Sequence, residues 1–154
     1  MIASGLLDDI MPDPGQPGGD GRRERLRLIR FAVSRTPTAH CTAQVELEWQ
    51  EGARFVGKAE GVSSSLGDLR LAALATLYAI ETFADGAMRF ELIGVKTLRA
   101  FDATVAIVSV AYVTDGGRQR LLGCHLADED PLGSTVLATL QATNRVLGNY
   151  IARR

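Results

Sequence analysis

The second half of this chain repeats the first, and that duplication constrains the fold more than any other feature. Ala75-Thr76-Leu77-Tyr78-Ala79 returns 63 residues later as Ala138-Thr139-Leu140-Gln141-Ala142. Upstream, Phe55-Val56-Gly57 is matched by Leu121-Leu122-Gly123, and Leu28-Ile29 by Leu92-Ile93. One order of elements used twice predicts two copies of one folding unit packed about a pseudo-twofold axis. Such symmetry favours a binding or assembly module over an enzyme with one asymmetric pocket.

Hydrophobic periodicity names the elements of each unit. Leu26 and Leu28 through Val33 predict a strand that ends at Thr36-Pro37. From Ala43 to Trp49 apolar and polar residues alternate strictly, the period-2 pattern of a half-buried antiparallel strand. That pattern puts Trp49 in the core with Ala43, Val45 and Leu47. Glu51-Gly52 supplies a hairpin turn and Arg54 to Glu60 the returning strand. A small-residue loop, Gly61 to Gly67, leads to a helix expected from an Asp68 N-cap to Phe83, stopped by Asp85-Gly86. In the second unit strands are expected over Arg89–Leu98, Ala103–Val113 and Gln119–Ala127, with a turn at Asp115-Gly116-Gly117. Pro131 suits the first position of a last helix running to about Ile151. The fold class is therefore α+β, two tandem β-β-β-α units with antiparallel strands packed on two helices. The units span 25–86 and 87–154 of one duplicated domain.

Residues 1–24 stand apart. Positions 11–21 are nearly all turn and breaker types and hold three of the five prolines, so a flexible N-terminal tail is expected. Leu6, Leu7 and Ile10 beside Asp8 and Asp9 offer a docking peptide that would tether the module to a larger enzyme or assembly.

The 154 residues suffice for a core without staples, and 46% apolar with 23% charged residues is ordinary for a globular chain. A net charge of −1 builds no positive field for phosphate backbones, so no nucleic-acid partner is expected. Met1 to Ile10 lacks the basic start and apolar run of a signal peptide, and no run reaches membrane-span length. With two cysteines outside any CxxC pair, the expectation is a cytoplasmic protein with reduced thiols, without membrane contact.

Two segments are more apolar than their neighbours, and the second of them points to a partner. Val105 to Val113 is apolar on both faces, as a covered strand would be. The first helix, with Leu69, Leu71, Leu74, Leu77, Ile80 and Phe83 among alanines, is apolar round most of its circumference, so its spare face predicts a second copy of the chain.

Two β-β-β-α units, each with a small-residue loop before its helix, resemble the C-terminal regulatory (dimerisation) domain of 2-isopropylmalate and citramalate synthases. Ala138-Thr139-Leu140-Gln141-Ala142-Thr143-Asn144-Arg145 is similar to that family's last-helix signature. Asp130 stands where the family carries an aspartate entering the helix, and Phe90 to Val95 is similar to the strand opening its second unit. The resemblance covers roughly residues 25 to 151. It implies a homodimer whose small-molecule effector, an amino acid, sits near the subunit interface among glycine-rich loops and helix starts. Carried over by position, that site comprises Gly57, Gly61 and Asp68 in unit one and Gly123, Asp128 and Asp130 in unit two. The chain departs from the pattern where Gly57-Lys58-Ala59 and Gly123-Cys124-His125 replace glycine-richer loops. A chain of this length has no room for the family's TIM-barrel catalytic domain, so the resemblance implies a stand-alone module.

The residues themselves suggest a related site. Ser63 and Ser64 before a helix start suit a carboxylate, and Asp128, Glu129 and Asp130 suit an ammonium group, together a zwitterion cradle; N-capping alone explains the same residues. His40-Cys41 and Cys124-His125 have the right residue types for zinc, but neighbours in a strand point to opposite faces. The same divergence weakens a Cys-His nucleophile pair, so no metal, cofactor or catalytic residue is expected, with a small enzyme using Cys41 or Cys124 and a histidine as a third alternative. The leading expectation is a non-catalytic homodimerising regulatory module. The alternative is a structural adaptor that binds a protein partner through the apolar helix face or residues 1–24.

Overall fold

The computed structural model describes residues 25–50 and 52–154. The expected tail and docking peptide within residues 1–24, and Glu51, lie outside the described residues. Each unit is three antiparallel strands followed by a helix. Unit one comprises β1 (Leu26–Arg35), β2 (His40–Trp49), β3 (Ala53–Val62) and α1 (Ser65–Ala84). Unit two comprises β4 (Phe90–Ala100), β5 (Ala103–Thr114), β6 (Gly117–Leu126) and α2 (Pro131–Ala152). The strands form two separate three-stranded sheets, β1-β2-β3 and β4-β5-β6. The chain is thus α+β with two tandem β-β-β-α units.

The duplication extends to irregularities. The β1–β2 register slips between Leu28 and Arg30, and the β4–β5 register slips between Leu92 and Gly94, 64 residues further on. Each slip inserts one residue, which bends the strand and strengthens its twist. Inner faces match as well: Ala43, Val45 and Leu47 on β2 correspond to Ala106, Val108 and Val110 on β5, all buried.

The helix starts also correspond, and here one expectation needs correction. Ser64, not Asp68, caps α1; its side chain accepts the Gly67 N–H at 2.9 Å, while Asp68 lies in the first turn. Asp130 caps α2 in the same way, accepting from the Gly133 N–H at 3.0 Å, with Pro131 at the first helical position. Glycine three residues after each cap leaves room for the capping side chain. Sequence reading favoured Asp68 because a carboxylate caps as well as a hydroxyl does.

The close fit of helix to sheet explains the recurring apolar-Gly step. A Cβ at Gly57 would lie 2.9 Å from the Cα of Ala79, and closer still to the Ala75 carbonyl oxygen and Ala79 amide nitrogen. At Gly123 a Cβ would meet the equivalent Ala138 and Ala142. The glycine beneath and the two alanines above form one contact, made twice, where backbone packs on backbone.

α1 packs on β2 and β3 and also touches β4 and α2, while α2 packs on β5 and β6. Leu69, Leu71, Ala72, Ala73, Leu77, Ile80 and Phe83 are all buried this way. The apolar circumference of α1 is therefore largely covered within the chain, because its own sheet, the neighbouring helix and the second sheet's edge all reach it. Trp49, half-buried, packs on the core side of β2 with its ring centroid 5.2 Å from that of Phe83, which also meets Phe55 and Tyr150.

Thr76 and Thr139 occupy equivalent helix positions with no exposure, and each hydroxyl donates to the carbonyl four residues back, at 2.8 and 2.7 Å. Each hydroxyl bonds within its own helix, so Thr139→Val is expected to change stability by no more than about 1 kcal/mol. Urea unfolding of the pair of proteins checks this.

Candidate functional site

The structure sorts the eight expected site residues into three places. Gly61, Ser63, Ser64 and Asp68 gather at the β3–α1 corner. Asp128 and Asp130 lie at the β6–α2 corner. Gly57 and Gly123 belong to neither; they are buried mid-strand beneath the helices, where packing accounts for them.

At the first corner Asp68 is only 8% exposed. Its Oδ2 accepts from Arg35 Nε at 3.0 Å and Nη2 at 2.8 Å, and its Oδ1 from Ser63 Oγ at 2.9 Å and the Ser64 N–H at 3.3 Å. Burial opposes ionisation of this carboxyl, but hydrogen bonds from Arg35, Ser63 and Cys41 and the Arg35 charge together hold it below the usual aspartate range. Hydrogen bonding to Asp68 and the carboxylate's charge raise Arg35 in turn. Cys41, opposite Gly61 across the β2–β3 ladder, is buried; desolvation and the neighbouring carboxylate push its thiol up. A thiol held protonated is a poor nucleophile. Leu71 covers Gly61, 3.6 Å from where its Cβ would stand. The carboxylate has most of its acceptor positions filled, which suits it to joining β1 to α1 rather than to moving protons.

Arg35 and Cys41 complete this cluster, and sequence reasoning missed both as its members. No local pattern marked them: only the register, which the fold fixes, places the half-exposed Arg35 opposite Cys41. Unit two carries no such pair. Arg99 pairs with Thr104 as Arg35 pairs with Cys41, but its Nη2 donates to the Asp102 carbonyl at 3.3 Å. Ser134, four residues after its cap as Asp68 is after Ser64, donates to the Leu126 carbonyl at 2.6 Å.

At the second corner Asp128 Oδ1 accepts the Thr104 N–H at 2.8 Å and Asp130 caps α2. Both acids thus serve the backbone of their own unit. His40 is exposed while Cys41 faces the core, and Cys124 lies on the outer face of its sheet. Among the described residues no three His, Cys, Asp or Glu side chains converge as metal ligands. Nor does any buried side-chain polar atom among them lack a hydrogen-bond partner. No described helix is long and apolar enough to cross a membrane.

Concavity lies elsewhere. An open groove of about 740 Å³ between the start of β1 and the end of α2 is lined by Arg25, Arg145 and Arg154 with Asn144 and Asn149 over Leu26 and Leu147. None of the eight expected residues lines it.

The largest contrast between the units is on the outer sheet faces. By the 63-residue offset, Thr42, Gln44, Glu46 and Glu48 of β2 correspond to Val105, Ile107, Ser109 and Ala111 of β5. By the 66-residue offset that matches Gly57 to Gly123, Lys58 and Glu60 of β3 correspond to Cys124 and Leu126 of β6. The first sheet's outer face carries ion pairs, Arg54–Glu46 at 3.0 Å and Arg27–Glu48 at 3.5 Å. The second keeps one pair, Arg118–Glu91, at one end, while Leu122 and Leu126 are 67% and 61% exposed. The chain matches no protein-family model and no curated protein sequence.

Proposed function

We propose that this chain is a non-catalytic, homodimerising module of the regulatory type, whose contact surface is the outer face of the second sheet. The observation that carries this reading is the divergence of the two outer faces while the inner faces stayed alike. One copy of the unit kept a solvated face; in the other, three of the four polar positions on the central strand and both Lys58 and Glu60 of the third strand are replaced by apolar residues or cysteine, with charges kept at Glu91, Lys96, Arg118 and Arg120. Contiguous exposed apolar surface of this kind marks a protein contact. The covered circumference of α1 moves the argument for a second copy from helix to sheet, and a hetero-partner adaptor would have to use the same sheet face.

An amino-acid effector at the two helix starts is the less supported part of the proposal. Ser63, Ser64, Asp68, Asp128 and Asp130 each already bond within the chain. Sedimentation velocity of the full chain at micromolar concentrations tests the main reading. The expected particle has twice the chain mass of 16.5 kDa. A particle of one chain mass throughout would sink it.

A further inference from the structure

Resting on that reading, we infer that two copies join face to face through the outer surface of the second sheet, about a twofold axis running along β5. An isologous contact requires a self-complementary patch, and the registers of this sheet supply one. An axis along β5 lays the uncharged row of Val105, Ile107, Ser109 and Ala111 on its own counterpart. The outer row of β4 then faces the outer row of β6 in the other copy, level by level.

The levels are set by shared partners on β5. Glu91 and Arg120 both lie opposite Ala111, so the acid of each copy meets the base of the other. Gly94 and Leu122 both lie opposite Ser109. No atom stands within 4 Å of a Cβ position at Gly94, leaving a gap for the protruding Leu122 of the second copy. Leu98 and Leu126 both lie opposite Val105 and meet as an apolar pair. Lys96, opposite Ile107, faces Cys124; as a residue of an edge strand it can keep its stem on the face and its ammonium in water. At the Ala111, Ser109 and Val105 levels the two rows thus answer each other in charge or shape, while Arg89 and Arg118, both level with Val113, meet as like charges at the strand ends. Within one chain Glu91 also pairs with Arg118, and that exposed pair contributes little to folding.

Charge exchange in the full chain tests the arrangement. Glu91→Arg alone and Arg120→Glu alone place like charges at two symmetry-related points, and each is expected to raise the dimer dissociation constant about tenfold or more. Mixing the two variants restores both acid–base contacts, so heterodimers of one copy each should form with near wild-type affinity. Sedimentation of differently labelled variants reads this directly, and far-ultraviolet circular dichroism establishes that both are folded. Unaltered dimerisation by the single variants, or folded variants that stay monomeric when mixed, would overturn this interface; a wild-type dimer would then still support the module reading. A monomeric wild type overturns both.

Discussion

Gly57→Ala and Gly123→Ala are each expected to cost about 3 kcal/mol or more in folding stability, at the upper end of what overpacking does. The added methyl would meet helix backbone, which cannot swing aside as a side chain can, so a whole helix must lift from its sheet. Gly148→Ala provides the opposite sign in the same fold. It lies within α2 with nothing within 4 Å of its Cβ position, so alanine should stabilise by about 0.5–1 kcal/mol through helix propensity. Gly61→Ala, in ordinary contact with Leu71, should fall between the two. Urea midpoints of the four variants, measured together, check the order. A mild effect at Gly57 would mean that the helix–sheet distance is looser than described.

Arg35→Ala is expected to lower stability at neutral pH and to lose that effect in acid. Asp68 is held below its ordinary value of 3.8 in the folded state. A carboxyl depressed on folding contributes stability that is complete above the unfolded value and lost as pH falls through the folded one. Without Arg35, burial, the largest single influence on Asp68, acts against fewer hydrogen bonds, and the folded value moves upward. The gap between wild type and Arg35→Ala should therefore be widest near about pH 7 and narrow as the pH falls below the ordinary aspartate range toward the folded value of Asp68. Denaturant titrations at the two ends check it. A gap of equal size at both would show that Arg35 acts through packing alone.

How far the sequence could be read depended on the range of the interactions concerned. All six strands and both helices were legible, since alternation, helical periodicity and turn residues are local signals. Boundaries slipped by a few residues: α1 begins at Ser65, and β3 runs on to Val62. The end of β1 places Arg35 opposite Cys41 and within reach of Asp68, which no local pattern announces. Gly57 and Gly123 were recognised as recurring but read through a ligand, because a glycine that admits a helix backbone leaves the same trace as one that admits a small molecule.

The sequence by itself determined the duplicated order of elements and the inward row of β2, both of which follow from spacing along one stretch of chain. Tertiary structure alone decided that α1 is covered from several sides within its own chain, that Asp68 is tied to Arg35, and that the second sheet rather than the first helix holds the spare apolar surface. The physical reason is that burial and charge pairing depend on which distant segments meet, and residues 33 positions apart carry no mark of their encounter until the chain has closed around them.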